Sequence, residues 1–317
     1  MQSVNFTNEP NEGLLAEITR ASTQKPILED ITVVIPTLGR PILEQCLYWI
    51  LRGSAWPAGL IVVEQGANPQ VDNWLECVRK MGIPVRHILS TQRGRSAGIN
   101  RGLEQTRTRF VAITDDDCFV EESWLSNMAD KLRRYPQAVI TGRVEAAGQD
   151  ILIVVTSLTP SIQHRPRLKF DSMSGGNMGA ALDTFRKVGL FEEDPVMNTA
   201  EDAEWAYRAL RKGVSIRYEP DVVLAHFGWR DTGRRLEQYR DYALSHGGFY
   251  GKYLRRGDLF ILARAGAHLG RALRWWVRGI VARNMELAIL GKAYFLNLLP
   301  GIWAGMCSRV QSVSLKW

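Results

Sequence analysis

The chain of 317 residues is 45% apolar and 23% charged, enough to bury one large domain with an appendage, and neither a disordered nor a fibrous composition. Cys46, Cys77, Cys118 and Cys307 form no C-x-x-C pair, which argues against a zinc site or a disulfide framework and fits a reducing cytosol. The net charge of +7 is uneven: from Arg230 onward there are 15 Lys/Arg against 5 Asp/Glu, a net of +10, leaving the first 229 residues at −3. Such a tail suits an anionic membrane surface or nucleic acid. Residues 1–30 are polar and lack a basic start followed by an apolar run, so a secretory signal is not expected.

From residue 31 to about 230 the pattern alternates between strands and helices, the mark of an α/β sheet. Ile31–Ile35 is β-branched and apolar and stops at Pro36, a buried strand opening into a loop. Pro41–Leu51 has helical spacing, Leu60–Val63 reads as a second strand, Val85–Leu89 as a third and Ser96–Gln105 as a helix. Phe110–Ile113 is a fourth strand and runs straight into Asp115-Asp116-Asp117. A helix over Ser123–Arg134, a strand over Val139–Val144, a Gly-rich stretch at Ser174–Gly179 and helices over Thr184–Val188 and Asp202–Lys212 follow. Ser215–Tyr218 and Val222–His226 read as further strands, after which strands disappear.

Three consecutive aspartates repel one another, and on their own they most often form a solvated turn or a helix cap. Here they follow a wholly apolar strand, and ligands of open α/β sheets sit beyond the carboxyl ends of strands. Carboxylates two apart at such an end can meet one hard cation, Mg²⁺ or Mn²⁺, which in turn neutralises a departing diphosphate. Glu201-Asp202 opens a helix, where acidic residues also favour the macrodipole; near a metal site the same carboxylate can take a proton from a hydroxyl. His226 ends an apolar run and is either a core histidine or a further metal ligand. Gly94, Gly98 and Gly102 make a smooth stripe on one helix, read as packing, with Arg93 and Arg95 as phosphate contacts at its start.

In order, these segments resemble glycosyltransferase family 2. Val33–Arg40 is similar to that family's opening strand and nucleotide-binding loop, with Pro36, Thr37 and Arg40 in the loop. Gly94, Gly98, Asn100 and Gly102 match its G-x-x-x-G-x-N-x-G helix, and Asp115-Asp116-Asp117 its D-x-D element. Gly175-Gly176-Asn177-Met178 and Gly189–Glu193 resemble the loop and turn before the active-site helix; Glu201-Asp202 with Arg208 resembles "ED…R", and Pro220–His226 the closing histidine motif. One departure is Glu64, where relatives carry an Asp that contacts the base.

The resemblance implies a GT-A fold, the Rossmann-like mixed sheet of nucleotide-diphospho-sugar transferases, over residues 31–230. It would follow a polar extension (1–30) and precede a basic helical region (231–317). It implies an inverting, metal-dependent transferase acting on a nucleotide-sugar donor and a glycan or lipid-linked acceptor, in polysaccharide or glycolipid assembly. Asp202 would be the base, Asp117 and His226 would hold Mg²⁺ or Mn²⁺, and Asp115 would face the nucleotide. Glu64, Arg95, Asp116, Gly176 and Asn177 would complete the donor site.

On a helical wheel Arg256, Arg264, Arg271, Arg274 and Arg278 share one stripe, beside an arc of Leu259, Leu262, Leu269, Leu273, Trp276, Val277 and Ile280. This reads as a helix docked on the domain with its arginines in water, or as an interfacial helix on anionic lipid at the inner face of the membrane. Met285–Met306 carries Glu286, Lys292 and Pro300 and reads as a shallow or re-entrant hairpin. Two other readings are weighed. A sugar-phosphate nucleotidyltransferase needs a Gly-rich basic loop after the first strand, which Pro36–Arg40 supplies poorly. A nucleic-acid binder needs aromatics among base-facing polar groups, whereas the tail's aromatics lie among aliphatic residues, so no nucleic acid is expected.

Overall fold

The computed structural model describes residues 24–147, 155–169, 171, 173–227 and 235–309, with Gly13, Leu15 and Ile18. Most of the polar extension at 1–30 lies outside the described residues. The strands are β1 (Ile27–Thr37), β2 (Trp56–Glu64), β3 (Val85–Leu89), β4 (Phe110–Ile113), β5 (Cys118–Val120), β6 (Val139–Ala147), β7 (Ser161–Gln163), β8 (Met178–Ala181) and β9 (Ile216–Phe227). The helices are α1 (Ile42–Arg52), α2 (Gln70–Lys80), α3 (Arg95–Gln105), α4 (Trp124–Arg134), α5 (Leu182–Val188), α6 (Glu201–Arg211), α7 (Arg235–Leu254), α8 (Leu259–Val281) and α9 (Met285–Cys307).

The strands form one mixed sheet in the order β3-β2-β1-β4-β8-β6-β9-β5, with β7 also on β9. β1 to β4 pair in parallel, and β8 turns the sheet antiparallel against β4 and β6. Strand alternation sorts the apolar residues to two sides. Ile31, Val33 and Ile35 pack with Leu43 and Leu47 of α1 and Trp124 and Met128 of α4. Val34, Val111 and Ile113 pack with Ile99 and Leu103 of α3 and Trp205 of α6. The result is a helix–sheet–helix sandwich, with β1 and β4 ending side by side at its carboxyl edge. The glycine stripe does pack: a Cβ on Gly102 would stand 2.3 Å from Val34 Cγ1, so only glycine lets α3 lie this close to β1.

Several elements differ from expectation. The first strand runs on through Pro36 to Thr37, because parallel pairing to β2 continues to Thr37 against Glu64. Helix α2 and strands β5, β7 and β8 were not anticipated: α2 has a weak apolar stripe (Val71, Leu75, Val78), and the strands hold only three or four residues. Ser215–His226 is one strand with an irregularity opposite Gly142/Arg143 rather than two. Met285–Cys307 is a single helix, not a hairpin, with Pro300 accommodated inside it.

α9 packs along α7 and α8, and by length and composition it is apolar enough to cross a membrane. The α7–α9 contact is backbone on backbone. A Cβ on Gly251 would lie 2.0 Å from the Ile302 carbonyl oxygen, and one on Gly301 2.2 Å from that of Leu244. The bundle is fused to the sheet domain: Tyr207 of α6 shares a core with Phe249, Tyr250, Ile261 and Leu298. The buried Lys252 ammonium lies 2.7 Å from Glu192 and 3.5 Å from Asp194 in the loop before α6. Tyr253 donates to Glu204 (2.6 Å), and Tyr207 to Asp258 (2.6 Å).

The wheel of α8 splits its arginine stripe: Arg274 and Arg278 are exposed, whereas Arg264 and Arg271 turn inward. Arg264 is wholly buried and paired with Asp171 at 2.7 Å, and Arg271 donates to the Leu168 carbonyl at 2.8 Å. Leu259, Leu262, Leu273, Val277 and Ile280 are exposed. Arginine turns inward here because segment 168–171 offers it a carboxylate and a carbonyl, while Tyr207, Phe249 and Tyr250 lie against its guanidinium.

Candidate active site

A cavity of about 480 Å³ opens at the carboxyl edge of the sheet, where β1, β4 and β5, the start of α3, the start of α6 and Tyr242 of α7 meet. Pro36, Thr37, Arg40, Arg95, Asp115, Asp116, Asp117, Gly176, Asp202 and His226 all line it. These groups come from positions spread between Pro36 and His226, so their convergence is a product of topology rather than of sequence proximity.

The three aspartates part company. Asp115 receives a 2.7 Å hydrogen bond from Arg95 Nε. Asp116 turns inward, where Thr37 donates to it at 2.6 Å and Arg40 binds both its oxygens. Burial raises the Asp116 carboxyl above its ordinary range against the opposing pull of Arg40. Arg40 also reaches Asp117 at 3.1 Å. Asp117 Oδ1 stands 3.6 Å from His226 Nε2, and the Cys118 thiol completes a group whose donor atoms all lie within 4.8 Å of one another. A carboxylate and an imidazole at that spacing fit a divalent ion.

At the far wall α6 begins. Gly175 N–H donates to Asp202 Oδ2 (3.2 Å), and the N–H of Ala203 to Oδ1 (2.7 Å), which fixes the carboxylate at the helix N-terminus. Arg95 spans the cavity, its Nη1 donating to Glu201 at 3.0 Å. Burial opposes the charge on Arg95, but Asp115 and Glu201 outweigh it and keep the guanidinium firmly protonated. Burial lifts the Glu201 carboxyl to about 7, against Arg95 and with help from Asp202. Arg95 Nη2 and Glu201 Oε2 are both buried with no protein partner. Polar atoms left so cost about 1–3 kcal/mol each unless a ligand or water satisfies them.

Two expected residues stand outside the cavity lining. Glu64 is 1% exposed; its oxygens accept from Asn68 N–H and contact His87 Nε2 at 2.8 Å beneath Gly39. Asn177 is fully buried, accepting from Trp124 Nε1 (2.9 Å) and donating to the Arg143 and Val222 carbonyls (3.0 Å each). Its amide holds β6, β9 and α4 together, a joint next to the cavity rather than part of it. Arg208 is likewise an anchor, gripping Glu204 and the Val188 and Leu190 carbonyls. Asn100 pins Phe191 through a reciprocal pair at 2.9 Å, which steers the loop into α6.

Lining groups that the sequence did not single out are Gln65, which clamps Gly94 from both sides, Cys118, Asn198, Thr199 and Tyr242. Tyr242 carried no local signal, since it arrives on a helix from the other region.

Residues 32–186 match the model of glycosyl transferase family 2. Over 320 aligned positions the chain is 27% identical to the pre-mycofactocin glycosyltransferase of Mycobacterium tuberculosis, in strains CDC 1551 / Oshkosh and ATCC 25618 / H37Rv. The alignment takes in 91% of this chain and 65% of those relatives, so the chain spans just under two thirds of their length. Among solved structures it is similar to the mannosyltransferase PcManGT of Pyrobaculum calidifontis, in complex with GDP-Man and Mn²⁺. That match has a TM-score of 0.56 and 17% identity, over 90% of this chain and 88% of that one. It is also similar to S. aureus TarS 1–349 in complex with UDP, with a TM-score of 0.54 and 14% identity, over 90% and 94%. The matched segment makes residues 32–186 a glycosyl transferase family 2 domain, and the sheet order is that of the GT-A fold seen in these solved glycosyltransferases.

Proposed function

We propose that the chain is an inverting, metal-dependent glycosyltransferase that moves a sugar from a nucleotide-sugar donor to a hydroxyl acceptor. The observation that carries this reading is the gathering of Asp117 and His226, Arg95, and a backbone-fixed Asp202 around one cavity. Asp117 and His226 hold Mg²⁺ or Mn²⁺, which when bound offsets the charge that builds on the departing diphosphate. Arg95, with an unspent N–H inside the cavity, adds a fixed cation for a phosphate oxygen. Pro36, Thr37, Arg40, Asp115 and Gly176 form the donor side, with Asp116 bracing Thr37 and Arg40 from below. Glu64 and Asn177 act one step removed: Glu64 supports the loop at Gly39 and Asn68, and Asn177 supports the floor.

Asp202 takes the proton from the acceptor hydroxyl as that oxygen attacks the anomeric carbon opposite the leaving group. The two backbone N–H groups on its carboxylate aim it without occupying both lone pairs of either oxygen. Tyr242, Thr199 and Asn198 lie on the same side as Asp202 and make the acceptor wall.

The outward apolar row of α8, flanked by exposed Arg256, Arg274 and Arg278, supports attachment to an anionic membrane surface at the cytoplasmic face. A glycan on a lipid carrier is the acceptor class that such attachment serves, in polysaccharide or glycolipid assembly.

A screen of UDP-, GDP- and dTDP-sugars for thermal stabilisation with and without Mn²⁺ tests the donor reading. One nucleotide family should raise the melting temperature, and chelation should abolish the gain. Stabilisation by none of them, with metal present, would remove the donor site from this cavity.

A further inference from the structure

We infer that Cys118 supplies a third protein ligand, a thiolate, to the metal site, which makes that site selective for borderline and soft divalent ions. This rests on the reading of Asp117 and His226 as metal ligands. Cys118 follows Asp117 in the sequence, and the fold brings His226 to the same place. β5 pairs antiparallel with β9 so that Cys118 stands directly opposite His226, and cross-strand partners present their side chains on the same face. Asp117 is the residue before it, its backbone carbonyl held by Phe227 N–H at 2.8 Å.

Carboxylate, imidazole and thiol donor atoms therefore lie within 4.8 Å of one another at the cavity wall. Donors of one first-row divalent ion stand roughly 3–4 Å apart, since metal–sulfur bonds are about 2.3 Å and metal–nitrogen or –oxygen bonds about 2.0–2.2 Å. The Asp117–His226 separation of 3.6 Å is already in that range. The approach is kept clear by Gly176, whose Cβ, if it had one, would press on Cys118 Sγ at 3.3 Å and on Asp115 Oδ2 at 2.6 Å.

Thiolate ligands favour Zn²⁺, Co²⁺ and Cd²⁺ over Mg²⁺, whose hard-ion preference is for oxygen. Ligation displaces the thiol proton to solvent and forms the metal–sulfur bond, with no change of oxidation state. The site would then take Mn²⁺ as well as its oxygen and nitrogen donors allow, and hold Zn²⁺ or Cd²⁺ more tightly than an aspartate–histidine pair would.

The test is anaerobic titration of the full chain with Co²⁺, read by absorption and by calorimetry. A near-ultraviolet thiolate-to-cobalt charge-transfer band should appear with wild type, vanish in Cys118→Ser and vanish in His226→Ala. Separately, the preference for Cd²⁺ over Mn²⁺ in binding should fall at least tenfold in Cys118→Ser. Calorimetric Co²⁺ binding that depends on His226 but gives no charge-transfer band in wild type overturns the thiolate ligand alone. A band that survives in Cys118→Ser, and so comes from another cysteine, also overturns it. No Co²⁺ binding at all removes the metal site and this inference together. Should Cys118→Ser fail to fold, the presence or absence of the band in wild type, with the His226→Ala control, still decides.

Discussion

The sheet domain and the helical bundle behind it both bury an apolar core but place their charges differently. In the sheet, apolar residues of β1, β2 and β4 divide between two buried layers, and the charged groups collect at one open edge, where Asp115, Asp117, Arg95 and Asp202 surround a cavity. In the bundle, ion pairs lie beside an apolar core of Phe249, Tyr250, Ile261 and Leu298: Lys252 with Glu192 and Asp194, Arg264 with Asp171. A further set of its apolar side chains, Leu259, Val277, Ile280 and Trp303 among them, is outside. The sheet domain leaves its charged groups around an open cavity, whereas the bundle exposes an apolar row and uses its buried ion pairs to fasten itself to the loop before α6 and to Asp171.

The largest expected effect sits at the edge of the sheet. Asp202→Asn keeps the volume and an acceptor for one of the two N–H groups, that of Gly175 or that of Ala203, but cannot take a proton. Turnover should drop by about 10²–10⁴-fold, with melting temperature and donor-induced stabilisation unchanged. Near-normal turnover would move the base elsewhere and leave the two regions without their proposed division of labour.

Next in size is a change confined to the bundle. Gly251→Val pushes a side chain toward the Ile302 carbonyl, 2.0 Å from the Cβ position. Overpacking against backbone should cost about 3 kcal/mol or more, read as a lower midpoint in denaturant unfolding. Because Lys252, Tyr253 and Asp258 link bundle to α6, turnover should fall with it. Intact turnover alongside a melted bundle would show that the regions are independent.

How much of this was readable in advance differs between the regions for a physical reason. Apolar strands ending in polar residues report both their burial and the edge at which ligands collect, so Ile31–Ile35 and Phe110–Ile113 were legible as strands, and their carboxyl ends open on the cavity. Side-chain commitments were not readable: Asp115, Asp116 and Asp117 are alike as letters, and only Arg40 and Thr37 decide that the middle one turns inward. In the bundle a helical wheel separates arginine from leucine but does not say which face is outside. That depends on Asp171, some ninety residues away. The α7–α9 contact depends on glycines at 247, 251, 301 and 305, whose spacing signals close approach only once the partner helix is known.

Glu201 makes the cavity edge of the sheet domain sensitive to pH. Its carboxyl titrates near the ordinary 4.5 in the unfolded chain and at about 7 in the fold. Between those values the folded chain binds more protons than the unfolded one, so stability declines as pH rises through this window and levels off above it. Glu201→Gln removes the titration while keeping a partner for Arg95. The variant should match wild type near pH 5 and exceed it at pH 8, by on the order of 3 kcal/mol at most. Parallel melting curves for the two proteins from pH 5 to 8 would show that Glu201 stays ionised in the fold throughout.

The smallest effect on folding should come with a large effect on location. Val277 and Ile280 are 51% and 61% exposed, so replacing both by Ser should alter stability by no more than about 0.5 kcal/mol and leave turnover of a water-soluble acceptor intact. If the outer row of α8 inserts into lipid, the same two changes remove apolar area worth about 25 cal/mol per Å² of burial. Partition onto anionic vesicles at low salt should then weaken at least tenfold. The neighbouring Arg274 and Arg278 remain, so a loss in the double variant isolates insertion from simple charge attraction, whereas loss only on raising salt would assign the attachment to the arginines. Unchanged sedimentation with vesicles in the variant would mean that the exposed apolar row does not face a bilayer. The bundle would then serve only to hold α6.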